Sequence, residues 1–143
     1  MKFFLAGQWQ DRYEKIEVTN PANGMVIDTV PSACADDVET ALSSAVSGSA
    51  LMANLTGYER FQILRKAADL MLQKRDQLAH TISSEEGKTI NEAQVEVDRS
   101  VQIMELSGEE AKRITGEVLP LDGGMGVNGK LGFTLRVPCG VIA

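Results

Sequence analysis

The chain has 143 residues, of which 43% are apolar and 24% charged, with a formal net charge of −6. This is the composition of an ordinary globular protein, and a compact domain of this length buries roughly 68% of its unfolded surface. The acidic balance leaves no cluster of Lys and Arg to track a phosphate backbone, which argues against nucleic acid as a partner.

The opening run Met1-Lys-Phe-Phe-Leu-Ala-Gly7 is too short for the apolar region of a secretory signal, and Gln8-Trp9-Gln10-Asp11 follows it directly. No apolar run reaches the roughly 18 residues of a membrane span, so no membrane partner is expected. The two cysteines, Cys34 and Cys139, form neither a metal spacing nor a disulfide pattern. A reduced, cytoplasmic protein is the simplest reading, with both thiols expected as buried structural groups.

In chain order, the first thirty residues alternate short apolar runs with turn signals: Phe3-Phe4-Leu5, Trp9, Ile16 and Val18, then Asn20-Pro-Ala-Asn-Gly24 and Met25-Val-Ile-Asp-Thr-Val30. Asn-Gly between β-branched residues signals a hairpin, and two or three short antiparallel strands are expected. The middle is helical. Asp36, with Glu39 three residues on, is read as the cap of a first helix with an apolar stripe of Val38, Ala41, Leu42 and Ala45, ending at Gly48. Thr56-Gly-Tyr-Glu59 is a capping box opening a long helix through Phe61, Leu64, Ala68, Met71, Leu78 and Ile82, closed by Gly87. Thr89-Ile-Asn-Glu92 opens another, lined by Ala93, Val97, Met104 and Ala111 and running towards Gly116. Beyond it, Val118–Leu121 is extended and Asp122–Gly132 holds five glycines. Leu131–Val137 is strand-like, and Gly140-Val-Ile-Ala143 resembles the start of a strand buried on both faces.

Several motifs fail on context. Gly124-Met-Gly-Val-Asn-Gly129 matches G-x-G-x-x-G, but a strand-like segment follows it, with no helix N-terminus to face a pyrophosphate. Gly87-Lys88-Thr89 lacks the glycine a phosphate loop needs five positions earlier, where Ile82 stands. His80, the only histidine, is placed near a helix C-terminus, where the dipole accounts for it. Glu85 and Glu86 sit at a helix end that disfavours carboxylates, which hints at a cation or backbone amides nearby, with a solvated end as the simpler account. No nucleophile with its base, metal cluster or phosphate cradle remains.

The order of segments resembles the start of aldehyde dehydrogenases. The resemblance rests on the Phe3 strand with Gly7-Gln-Trp9, Asn20-Pro-Ala-Asn-Gly24, Asp36–Ala41 and Glu59-Arg-Phe-Gln-Ile-Leu-Arg-Lys-Ala-Ala-Asp-Leu70. It continues through Glu85-Glu-Gly-Lys88, Gly108-Glu-Glu-Ala111, Gly116-Glu117, Pro120 and Thr134–Ala143. It implies an α/β fold: the N-terminal part of a cofactor-binding domain over 1–119, mostly helical with an N-terminal β-hairpin. A strand arm that joins subunits would follow over 120–137, and the start of a central parallel sheet over 138–143.

A complete protein of this family would oxidise an aldehyde to an acid with NAD or NADP. A cysteine thiolate attacks the carbonyl, hydride passes to the nicotinamide and water releases the acid. The family's catalytic and cofactor-binding residues lie beyond Ala143, and neither Cys34 nor Cys139 matches the nucleophile's motif. The chain is therefore expected to be an inactive segment of a homo-oligomeric enzyme, binding no cofactor alone, or else a non-catalytic, self-associating module. Glu85 matches an acidic position that helps hold a structural monovalent cation in some members.

Overall fold

The computed structural model describes residues 1–142; the last residue of the expected sheet strand, Ala143, lies outside the described residues. Among the described residues the chain forms three two-stranded antiparallel hairpins and four α-helices.

The first thirty residues hold four strands in two separate hairpins, one strand more than the sequence suggested. β1 (Phe3–Leu5) pairs with β2 (Gln8–Gln10) through a two-residue turn in which Ala6 (φ 48°) and Gly7 (φ 83°) are both left-handed, the twist that tight hairpins favour. Phe4 faces Trp9 across this ladder, with ring centroids 5.3 Å apart and edge to face. β3 (Lys15–Thr19) pairs with β4 (Val26–Pro31). The Asn20–Gly24 turn between them closes as the Asn-Gly signal implied: the Asn20 amide donates to the Met25 carbonyl at 2.8 Å, the Gly24 amide to the Asn20 carbonyl at 2.7 Å, and Gly24 is left-handed.

α1 (Ala35–Asn54) starts and stops elsewhere than expected. Its N-cap is Cys34, because Asp37 rather than Asp36 folds back to accept the Cys34 amide at 3.0 Å. Gly48 does not end it: an isolated glycine costs a helix about 1 kcal/mol relative to alanine but does not break it, and α1 runs on to Asn54.

The single long helix expected from Gly57 to Glu86 is two, α2 (Gly57–Gln73) and α3 (Arg75–Glu86), joined at Lys74. No proline or glycine causes the break. Arg75 grips Asp98 on the next helix with both arms of its guanidinium, Nε to Oδ1 at 2.6 Å and Nη2 to Oδ2 at 2.8 Å, and this fixes the start of α3 against α4. Both capping boxes form: Thr56 accepts the Glu59 amide at 3.2 Å, and Thr89 accepts the Glu92 amide at 3.3 Å. Gly87, left-handed, ends α3 as expected.

α4 (Ile90–Ala111) is the spine: α2 packs along one part of it and α3 along another. It ends at Ala111, short of Gly116. The core between these helices is made of small residues, Ala68, Ala79, Ala93 and Ala111, with Val97 and Val101. Where α2 crosses α4 the packing is close: a Cβ on Gly108 would lie 3.3 Å from the Phe61 ring, which would have to give way slightly.

The chain ends in a short hairpin, β5 (Val118–Leu119) with β6 (Gly132–Phe133), the second strand being much shorter than the Leu131–Val137 expected. The expected sheet strand from Gly140 is absent over the described residues 140–142, which carry no ladder.

The exposed surface is 10842 Å², against about 7,200 Å² for a compact monomer of this mass. The difference is about 3,600 Å². Apolar side chains left open include Val38, Leu42 and Val46, 44–63% exposed along one stripe of α1, and Val118, Leu131, Leu135 and Val137 near the C-terminus, 73–78% exposed.

Candidate functional site

The residues that sequence reasoning singled out lie on three separate parts of the chain. Glu85 and Glu86 are in the last turn of α3, both exposed. Glu86 has the cation its position called for: its carboxylate lies 2.6 Å from Lys88 Nζ, which also reaches Glu96 on α4 at 2.5 Å. The two carboxylates hold the Lys88 ammonium strongly in its charged form. The Ser83 hydroxyl donates to the Lys88 carbonyl at 2.7 Å, which closes the α3–α4 elbow. Glu85 is exposed and takes no part in this cluster among the described residues. No group of three or more His, Cys, Asp or Glu gathers to hold a metal among the described residues.

The glycine-rich loop follows a 3₁₀ turn at Leu121–Gly123 and leads into β6, with no helix behind it. Gly126 and Gly129 take left-handed turns and Met125 is fully exposed. This is a surface loop that does not fit a dinucleotide pyrophosphate, for which a helix N-terminus would be required.

His80 is exposed and lies in the middle of α3, the shorter helix that the break at Lys74 separates from α2. Cys34 and Cys139 are free and exposed, so the expectation of buried thiols is overturned. Cys34 caps α1 at the surface. Cys139 lies in a segment without a sheet to bury it.

Two features had no sequence signal. The first is the ion pair of Arg12 and Asp37, which joins the end of the β1–β2 hairpin to α1. The second is an open groove of about 630 Å³ between the C-terminal half of α1 and residues 136–142, lined by Met52, Ala53, Ile114 and Val141 with Arg60 and Arg136. Arg60 donates to the Leu55 carbonyl at 2.5 Å. Among the described residues the lining contains no Asp or Glu.

No helix among the described residues is long and apolar enough to cross a membrane.

Comparison with known proteins agrees with this geometry. Residues 9–143 match the aldehyde dehydrogenase family. The 3-sulfolactaldehyde dehydrogenase of Priestia megaterium is 38% identical over 140 residues, 98% of this chain and 29% of the relative. The NADP(+) succinate-semialdehyde dehydrogenase of Escherichia coli is 37% identical over 118 residues, 81% of this chain and 24% of its own. The crystal structure of aldehyde dehydrogenase 21 from Physcomitrella patens, in complex with the reaction product succinate, superposes with a TM-score of 0.84 at 32% identity, covering 92% of this chain and 28% of that one. The chain thus spans under a third of the length of these relatives. Its helices and hairpins are those of the N-terminal part of their cofactor-binding domain, and the chain belongs to the aldehyde dehydrogenase family.

Proposed function

We propose that this chain is the N-terminal scaffold of an NAD(P)-dependent enzyme that oxidises an aldehyde to a carboxylic acid. The observation that carries the reading is the superposition of 92% of the chain on an aldehyde dehydrogenase holding its product succinate. Several of the relatives' names support a narrower substrate class. They name 3-sulfolactaldehyde, succinate semialdehyde and α-ketoglutaric semialdehyde, each an aldehyde bearing a second, acidic group, whereas the Picrophilus torridus relative is named for D-glyceraldehyde, which has none. When bound, NAD(P) supplies the hydride acceptor. In this reading the chain's part is to carry and position the segments that hold the cofactor. The free cysteines fit a reducing, cytoplasmic compartment.

Two further assignments belong to this reading. The arm that would join subunits is assigned to residues 120–137, which include β6; the β5–β6 hairpin has both outer edges unpaired among the described residues and could add to a partner subunit in a homo-oligomer. Glu85, solvated and unpaired among the described residues, is available to contribute to a monovalent cation site. Replacing it by Gln would abolish any potassium-dependent gain in thermal stability over choline salts; an undiminished gain would remove Glu85 from the site.

The test is a chimera in which this chain replaces the matching segment of the Priestia megaterium relative. NAD(P)H formation from succinate semialdehyde or 3-sulfolactaldehyde is expected, with weaker turnover of uncharged aldehydes of similar length. A folded chimera inert towards all aldehydes would overturn the proposal. In the 143-residue chain alone no NAD binding is expected, and micromolar affinity would refute the scaffold role.

A further inference from the structure

We infer that the Arg75–Asp98 ion pair is a salt-sensitive latch on a helix held bent: when the pair opens, α2 and α3 join into one straight helix over Gly57–Glu86. The inference stands on the local geometry of this chain and is independent of the family reading.

The bend gives up backbone bonds that the local sequence favours. Leu72, Gln73, Lys74, Arg75 and Gln77 are all good helix formers, and Met71, Leu78 and Ile82 keep one helical spacing across the break. The Lys74 amide donates to the Leu70 and Met71 carbonyls, at 3.2 and 3.1 Å, and the Leu78 amide donates to the Lys74 carbonyl at 2.9 Å. Between them, the amides of Arg75 and Gln77 find no carbonyl four residues back among the described residues. A straight helix would give those two amides the carbonyls of Met71 and Gln73.

Contact with α4 opposes that gain. α2 meets α4 around Gly108, beside Phe61 and Leu64, and α3 meets it around Ala93 and Val97. Two straight helices diverge on either side of their crossing, so α3 reaches its half of α4 only by bending away from the line of α2. The apolar hold there is thin, since Ala79 and Ala93 each bring one methyl group. Arg75 adds to it at the bend itself, with two short bonds to Asp98, and Asp76 is a second acidic neighbour at 3.4 Å. The side chains of the pair are 32% and 42% exposed, so dissolved ions reach and weaken it. Ionic strength therefore shifts the balance between the bent and the straight form.

The experiment follows amide hydrogen exchange residue by residue, corrected for intrinsic rates, in the 143-residue chain and in Asp98→Asn and Arg75→Met. Exchange at residues 75 and 77 is expected to slow at least about threefold in both variants, as those amides gain helical acceptors. The double variant Arg75→Asp with Asp98→Arg, which restores the pair in reverse, is expected to return both amides to the parent rate. Raising NaCl from millimolar to molar should slow them in the parent chain and leave them unchanged in Asp98→Asn. Unaltered exchange at both positions in the two single variants would overturn the latch. Faster exchange along residues 79–83 without protection at 75 and 77 would also overturn it, because α3 would then be melting rather than joining α2. Should the single variants fail to fold, the NaCl series on the parent decides alone, and exchange at 75 and 77 indifferent to salt would refute the inference.

Discussion

The guanidinium of Arg12 and the carboxylate of Asp37 form the joint on which α1 is mounted. Arg12 Nε donates to Asp37 Oδ2 at 3.1 Å and Nη2 reaches Oδ1, while the ring of Phe3 lies 5.2 Å beneath the guanidinium carbon. Other arms of Arg12 hold the Asp11 carbonyl at 2.7 Å and the Gln10 side chain at 2.8 Å. The same Asp37 oxygen accepts the Cys34 amide, so one carboxylate caps the helix and ties it to the β1–β2 hairpin.

Replacing Arg12 by Met should release α1. The substitution keeps the apolar stem over Phe3 but leaves a buried carboxylate without its cation, the costly way to break such a pair. Amide hydrogen exchange along α1 is expected to accelerate at least about tenfold, while α2, α3 and α4 keep their protection. Uniform acceleration in all four helices would mean that α1 is not an independent unit.

The joint should also respond to acid. Arg12, with the Cys34 amide, lowers the Asp37 pKa from 3.8 to about 2. A depressed carboxylate stabilises the fold above its unfolded value and loses that contribution as the pH falls through its folded value. The α1 attachment is therefore intact at pH 5 and lost progressively between 3.8 and about 2. Amide exchange along α1, corrected for its intrinsic pH dependence and followed down that interval, should show it, and Asp37→Asn should remove the transition.

What the sequence disclosed and what it hid divide along the range of the interactions. The boxes at Thr56–Glu59 and Thr89–Glu92, the Asn20–Gly24 turn and the stop at Gly87 are set by residues within a few positions, and all form as read. The family likeness, carried by segment order, was equally visible. The break at Lys74 was not, because Asp98, which fixes Arg75, lies 23 residues away. Cys34 displaced Asp36 as the cap for a similar reason, since Asp37 is also claimed by Arg12, 25 residues distant. The thiols were misplaced because burial of Cys139 presupposed a sheet that the described residues do not build.

Val97 is the largest side chain fully enclosed by the core, packed in the Ala79–Ala93 cluster. Truncation to Ala leaves a cavity where neighbouring alanines cannot extend to fill it. A loss of roughly 2 kcal/mol is expected, read from the urea midpoint at unchanged slope. A loss below about 0.5 kcal/mol would show that the core repacks freely.

Thr89→Ala removes the acceptor for the Glu92 amide at the start of α4. The expected loss is about 1 kcal/mol, with Thr89→Ser retaining most of the stability because the hydroxyl is kept. Equal losses for Ala and Ser would assign the effect to the methyl group rather than the cap.

Gly116 has the tightest surroundings of any glycine in the chain. A Cβ there would fall 1.7 Å from the carbonyl oxygen of Thr134, far inside contact distance. The two segments are held together by the Thr134 amide, which donates to the Glu117 carbonyl at 2.9 Å, and by the Glu117 amide, which donates to the Thr134 hydroxyl at 2.9 Å. Because the obstacle is backbone, no rotamer change relieves it, and Gly116→Ala must push the strands apart and break both bonds. The β5–β6 hairpin should open while the helices stay intact, since it has no counterpart contact among the main helix pairings. Limited proteolysis in the 122–132 loop is expected to accelerate, with the helical circular dichroism signal unchanged. If the hairpin is also the subunit arm, the chimeric enzyme carrying this substitution should fall apart into smaller species. Unchanged proteolysis would show that residues 116 and 134 do not meet this closely in solution.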